Sequence, residues 1–368
     1  LLRPMPDALS LPRLCGQLLV VGFSGTSLPS EVHAWLADGR LGGIIVFKRN
    51  LPSLEVAHAL NHETVAVSQP DLPPFIAVDQ EGGRVARLPS PFLKLPPMRQ
   101  LGALGDDALV RRIGAVLGSE LGKLGYNLDF APVLDVDSNP DNPVIGDRAF
   151  SADPAEVARL AGALIDGLQA EGVMACGKHF PGHGDTHLDS HLDLPYVRHS
   201  EERLRSVELP PFREAAARGV ATLMTAHVVY EALDPDRTAT QSPRISTALL
   251  RDELGFDGVL FSDDLEMRAL ADRMSVEDSS VGAIRSGCDV LLVCSDLALA
   301  ERAHVALVRE AERDAGFRAR CLQAARRGLA ARRRFPPRPA ADVSDVGSAL
   351  ARELEASIAK RLQTVTRA

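Results

Sequence analysis

No stretch of 18 residues in this 368-residue chain is continuously apolar, so no segment is long enough to span a bilayer as a helix, and no membrane partner is expected. No Gly-x-Gly-x-x-Gly follows an apolar run, which removes the usual argument for a dinucleotide. The five cysteines (Cys15, Cys176, Cys288, Cys294, Cys321) are odd in number and widely spaced, and three of them sit inside apolar runs. Buried free thiols fit this distribution better than a disulfide framework. An excess of positive charge is missing too: the net charge is -8 and the acidic residues are scattered, which argues against nucleic acid as a main partner. The one basic cluster, residues 326–334 (RRGLAARRR), is expected to solvate a helix end. The chain has no internal repeat and no low-complexity tract, and its first residues lack the charged-then-apolar pattern of a secretory leader. The expected location is therefore cytoplasmic.

Eight short apolar runs are present, at 18–22, 43–47, 75–79, 128–136, 173–179, 221–227, 258–263 and 290–294. They alternate little between apolar and polar, as strands buried on both faces of a parallel sheet do. Between them lie helical patterns at 109–124, at 154–169 with Ser151 as a plausible cap, at 211–218 and at 279–286. Strand-helix alternation with polar residues gathered at the strand ends predicts an α/β fold, a single TIM-like (β/α)8 barrel rather than an open sheet. The pattern breaks at 336–339 (PPRP), and a final amphipathic helix is expected from about 343 to 362. Residues 1–340 are thus read as the barrel and 341–368 as a helical extension packed on it, too short for a core of its own.

The polar residues concentrate at four strand ends. Residues 174–195 (MACGKHFPGHGDTHLDSHLDLP) pass from an apolar strand into a loop with four histidines and three aspartates around Pro181, Gly182 and Gly184. His179, His183, His187 and His191 fall at intervals of four, but the proline and glycines oppose a helix there. Lys178 and His179 are adjacent, so both reach a barrel mouth only where the strand is distorted or ending. Asp79 directly follows the third run, and Gly82-Gly83 allows a sharp turn; a bridge from Asp79 to Arg84 or Arg87 is the plain structural reading. After the fourth run, Asp135, Asp137 and Asn139 have the spacing of a calcium loop without its glycine and terminal glutamate, and Arg148 offers a planar fork for hydroxyls. The seventh run ends on Asp263-Asp264, of which strand alternation should send one into the mouth while the other caps the next helix.

Taken together, KHFPGHGDTHLDSHLDLP, VDQEGGRVARLP and GVLFSDDLEM resemble glycoside hydrolase family 3, and within it the bacterial β-N-acetylhexosaminidases. The likeness extends over about residues 14–335, through GGIIVFKRN, GYNLDFAPVLDVD and TAHVVYEALD. It implies a retaining hydrolase that releases terminal β-linked N-acetylglucosamine through a covalent glycosyl-enzyme. Asp263 matches the nucleophile, His191 the general acid/base and Asp189 its partner; Asp79, Arg148, Lys178 and His179 match residues that hold the sugar. His183 and His187 are assigned to loop structure or outer contacts. The family context further implies an amino-sugar or muropeptide substrate, a role in peptidoglycan recycling, no cofactor, no metal and a monomer.

The chemistry is consistent with those residue types. A retaining glycosidase needs an attacking group and a proton donor about an oxocarbenium-like transition state. An imidazole with an ordinary pKa near 6.5 can serve as that donor, and a carboxylate two residues away in an extended loop can orient it. The alternatives are a family 3 β-glucosidase, a dual-specificity or phosphorylase variant, and, from another class, a metal-dependent hydrolase barrel. Against the last, the H-x-H after the first strand that many such barrels use is absent.

Overall fold

The computed structural model describes residues 9–186 and 194–366. All eight apolar runs become the strands of one closed, all-parallel barrel: β1 (Leu19–Val21), β2 (Gly43–Val46), β3 (Phe75–Val78), β4 (Leu128–Asp129), β5 (Met174–Phe180), β6 (Thr222–Thr225), β7 (Val259–Asp264) and β8 (Val290–Val293). Each pairs with its neighbours in chain order, and β8 closes on β1 with Val20 opposite Leu292. Helices fill the crossovers, which is what parallel pairing of consecutive strands demands. A small sheet outside the barrel joins Tyr196–Val197, Val229–Tyr230 and Asp234–Thr238. Among the described residues no helix is long and apolar enough to cross a membrane.

The alternation of strand side chains divides the apolar residues into two cores. Val20, Ile45, Phe75, Phe130, Met224, Phe261 and Leu292 fill the barrel interior, while a larger cluster lies between the strands and the helices. Phe261 packs edge-on against both Phe75 and Phe130 with ring centroids 5.3 Å apart, so the lower interior is solid. All five cysteines are free and buried.

Four local expectations are corrected. The helix Pro154–Ala170 is capped by Asp153, whose carboxylate accepts from the Ala155 N–H at 2.8 Å; Ser151 lies outside the helix and accepts instead from the Asp153 N–H. The fourth run is regular strand only at Leu128–Asp129, and its pairing goes on irregularly beyond: the Phe130 N–H donates to the Val78 carbonyl, the Leu134 N–H to the Lys178 carbonyl, and Val133 bridges Lys178. The last helix is Ala349–Thr366, starting later than expected: Ser348 Oγ accepts from the Ala351 N–H, and buried Glu120 accepts from the Gly347 and Ser348 N–H groups just before it.

The basic cluster is a solvated helix end only in part: Arg326 and Arg334 are exposed, but Arg332 is not. Helix Ala315–Arg334 turns Ala325, Gly328, Leu329 and Arg332 inward, and Arg332 is fully buried beneath the barrel, its guanidinium carbon 4.8 Å from the Phe75 ring centre. It donates to the carbonyls of Gly42 and Gly328 and to Gln17 Oε1. Burial, with Arg333 nearby, pulls its pKa down to about 9. Three oxygen acceptors, not a carboxylate, hold this cation at the N-terminal ends of the strands.

Candidate active site

The opposite end of the barrel is open. The strand ends there surround a cavity of about 210 Å3, smaller than the ~300–1,000 Å3 typical of drug-sized ligands and on the scale of one sugar ring. Its floor is apolar, with Ile45, Phe130, Met224 and Leu292, and its walls carry Asp79, Glu81, Arg148, Lys178, His179, His183, Asp263 and Asp264. Three strand ends, of β3, β5 and β7, and the short 3-10 turn Gly146–Arg148 in the chain after β4 thus deliver every described residue expected to act. Asp189, His191 and His187 lie outside the described residues.

β3 contributes the acidic side. Asp79 and Glu81, two residues apart, both meet Lys178 Nζ, each at 2.7 Å. The alternative reading, a bridge from Asp79 to Arg84 or Arg87, is not what forms among the described residues; Arg84 pairs with Asp147 at 3.5 Å and donates to the Val144 and Ile145 carbonyls. Gly82 and Gly83 adopt φ of +114° and +55°, which only glycine takes freely, and make the sharp turn after the strand. Glu81 also takes the Arg148 fork, Nε to Oε2 at 2.9 Å and Nη2 to Oε1 at 2.8 Å. Sequence reasoning missed Glu81, although its spacing from Asp79 placed it on the same side of the chain. Burial favours the neutral form of Glu81, but Arg148 and Lys178 overcome it and hold the carboxyl well below the usual range. Burial likewise opposes charge on Lys178, and Asp79 with Glu81 raises its pKa above the ordinary value. Two acids, Asp79 and Glu81, and two bases, Lys178 and Arg148, form one brace whose formal charges cancel.

β5 contributes Lys178 and His179 together. The strand's register against β6 shifts between Lys178 and Phe180, and the Lys178–His179 peptide bond is cis; both side chains line the cavity. Fully buried Asp135 anchors the chain from His179 to His183. Its Oδ2 accepts from His179 Nδ1 at 2.8 Å, and its Oδ1 accepts from the backbone N–H groups of His179 and His183 at 3.0 and 2.7 Å. With Nδ1 protonated toward Asp135, the Nε2 of a neutral His179 is left as an acceptor. The Asp135-x-Asp137-x-Asn139 spacing makes no joint site: Asp137 pairs with Arg99, and Asn139 accepts from the Asp141 N–H.

His183 is more than loop structure: it is buried and lines the cavity. Its Nδ1 meets Thr186 Oγ1 at 2.8 Å, and burial, with His179 adding to it, pulls its pKa down to about 4, so it is neutral at physiological pH. Gly184 allows the loop to lie against the chain after β4, where an added Cβ would stand 1.7 Å from the Val136 carbonyl oxygen. Asn142 Nδ2 donates to the His183 and Gly184 carbonyls, and Asp185 pairs with His199.

β7 ends on Asp263 and Asp264, and both line the cavity. The expectation that only one would do so is corrected: the register of β7 against β8 is irregular between Phe261 and Asp264, so simple alternation fails. Neither caps a helix. Asp264 Oδ1 accepts from the Glu266 and Cys294 N–H groups, tying the end of β7 to that of β8. Burial, with Glu266 adding to it, raises Asp264 to about 7. Buried His227, at the end of β6, supports the pair from below: Nε2 donates to the Asp264 carbonyl at 2.9 Å, and Nδ1 meets Thr240 Oγ1.

A parallel barrel with charged and polar side chains converging at the C-terminal strand ends around a sugar-sized cavity defines a barrel enzyme for a small polyhydroxylated substrate. A family model described as the glycosyl hydrolase family 3 N terminal domain matches residues 11–317. A β-hexosaminidase of Nitrosomonas eutropha is 40% identical over 284 residues, 76% of this chain and 80% of its own. Among solved structures, a glycoside hydrolase family 3 β-N-acetylglucosaminidase from Paenibacillus sp. is 39% identical with a TM-score of 0.91, covering 96% of this chain and 69% of that one. NagZ from Neisseria gonorrhoeae, solved in complex with N-trifluoroacetyl-D-glucosamine, is 35% identical with a TM-score of 0.71, covering 86% and 98%. The chain belongs to glycosyl hydrolase family 3 and stands within its β-hexosaminidase branch.

Proposed function

We propose that the enzyme hydrolyses terminal, non-reducing β-linked N-acetylglucosamine with retention of configuration. Asp263 attacks the anomeric carbon, and His191, oriented by Asp189, protonates the departing oxygen and then draws a proton from water. Asp79, Arg148, Lys178 and His179 bind the sugar hydroxyls. Residues 1–340 serve as the catalytic barrel and 341–368 as its extension. We further infer a muropeptide as natural substrate, acted on in the cytoplasm during peptidoglycan recycling by a monomer that needs no cofactor or metal. The single observation that carries the reading is the convergence of Asp263 with the Asp79, Lys178 and His179 group in one cavity of sugar size.

Turnover of an aryl N-acetyl-β-glucosaminide, compared with the matching aryl β-glucoside, tests it. Far faster release from the acetamido sugar is expected; the reverse preference overturns the assignment. Activity lost to a chelator and restored by zinc would overturn the metal-free mechanism.

A further inference from the structure

The helix that follows the barrel, Ala349–Thr366, buries Ala351, Leu354 and Ile358 in the same apolar core as Phe92, Leu93 and Leu95. Those last three residues lie between the Gly82-Gly83 turn after β3 and the helix Met98–Leu104. Two carboxylates join the extension to that segment. Buried Glu120, in the helix Asp107–Lys123, accepts from the Leu93 N–H through Oε2 at 2.9 Å and from the Gly347 and Ser348 N–H groups through Oε1 at 2.9 and 3.2 Å. A buried carboxylate is costly unless hydrogen bonds compensate it, and here they come from two segments far apart in sequence. Glu355 adds a second tie, its Oε1 accepting from the Lys94 N–H at 2.6 Å. The approach is close as well: a Cβ added to Gly347, which has φ of +71°, would stand 2.6 Å from the Pro91 carbonyl oxygen.

The tied segment is bonded in turn to the chain that carries Glu81. The Leu95 carbonyl accepts from the Gly83 N–H at 3.0 Å, and a Cβ on Gly82 or Gly83 would stand 2.9 Å from the Pro96 carbonyl oxygen or the Pro97 Cα. One residue before Gly82, Glu81 holds Arg148 and Lys178. A continuous path therefore runs from the extension through residues 93–95 and Gly83 to the acid that fixes two cations at the cavity.

We propose that the extension is a clasp on the turn after β3, and that Glu120 is a positioning residue which, through this turn, sets Glu81, Arg148 and Lys178 at the cavity. The inference rests on the glycosidase reading above and adds to its sugar-binding side a residue and a segment remote from the cavity.

In Glu120→Gln the amide accepts on one side only, so either Leu93 or the Gly347 and Ser348 pair loses its partner. Glu355→Ala removes the second tie near the surface, whereas Glu355→Gln keeps an acceptor for Lys94. Leu307→Ala, in the buried face of the helix Leu297–Arg313 after β8, lowers stability away from the clasp and controls for destabilisation alone. Hydrogen exchange of the peptide covering residues 80–88 in the full chain reads local opening of the turn. Exchange is expected to quicken roughly tenfold in Glu120→Gln and about threefold in Glu355→Ala, and to stay at the wild-type rate in Glu355→Gln and Leu307→Ala. On an aryl N-acetyl-β-glucosaminide, KM rises by the same factors, roughly tenfold and about threefold, while kcat stays within about twofold, the pattern of binding lost equally from substrate and transition state. Unchanged exchange, or a KM within about 1.5-fold of wild type, in the folded clasp variants would overturn the proposal, as would equal shifts in Leu307→Ala. If Glu120→Gln does not fold, Glu355→Ala decides alone. Wild type inactive on the glycoside would instead overturn the glycosidase reading, while the exchange measurement still judges the clasp.

Discussion

Glu81 and Arg148 meet through two parallel hydrogen bonds of 2.8 and 2.9 Å, with the carboxylate almost wholly buried and shared with Lys178. The pairing fixes a planar cation from the chain after β4 and an ammonium from β5 to a single acid beside β3. Removing one member of such a brace leaves buried charge uncompensated. Glu81→Gln is expected to cost on the order of 3 kcal/mol of stability and to lower kcat/KM about a hundredfold through misplaced sugar-binding groups. Urea unfolding and steady-state kinetics check both; a variant within twofold of wild type in kcat/KM would contradict the brace.

Asp135 sets the proton on His179. In Asp135→Asn the retained oxygen can still accept from the two backbone N–H groups, but an NH2 faces His179 Nδ1 and forces the opposite tautomer, so Nε2 becomes a donor. The expected loss in kcat/KM is roughly ten- to hundredfold. Nitrogen NMR of the histidine should show the tautomer exchanged; an unchanged tautomer would contradict the assignment.

Asp129 gives a pH dependence of stability. It is fully buried at the end of β4, with Oδ1 accepting from the Gln80 N–H and Oδ2 without a partner among the described residues. Burial raises it to about 8, against the partial help of the Gln80 N–H and of Lys178. The folded protein therefore keeps a proton that the unfolded chain releases near pH ~3.9. The stabilisation is complete below that pH and is lost as pH rises through about 8. Asp264, raised to about 7, contributes in the same direction. Asp129→Asn should therefore gain on wild type between pH 5 and pH 8 in thermal unfolding; parallel curves would contradict the proposed protonation.

The barrel was legible because its strands are continuous apolar runs separated by helix-length segments, and all eight runs pair in order. Asp79, Lys178, His179 and Asp263 were legible as polar residues at strand ends and Arg148 as a guanidinium in the chain after β4, with the family motifs pointing to the same set, and one cavity receives them all. Less visible was what depends on irregular backbone. The register shifts in β5 and β7 bring Lys178 with His179 and Asp263 with Asp264 into the same cavity, where strict alternation would separate each pair. Arg332 was misread from composition, although Ala325, Gly328, Leu329 and Arg332 follow the helical spacing of a buried face. Glu81 was not singled out at all, and only the fold brings it to Arg148 and Lys178.

The proposed chemistry turns on Asp263 as the nucleophile. The direct measurement is mass spectrometry of the enzyme trapped with an N-acetylglucosaminyl substrate whose ring fluorination slows breakdown of the glycosyl-enzyme. One added sugar is predicted, carried on the peptide containing β7 and attached to Asp263. Attachment to Asp264, or no covalent adduct together with an inverted product, would contradict that role.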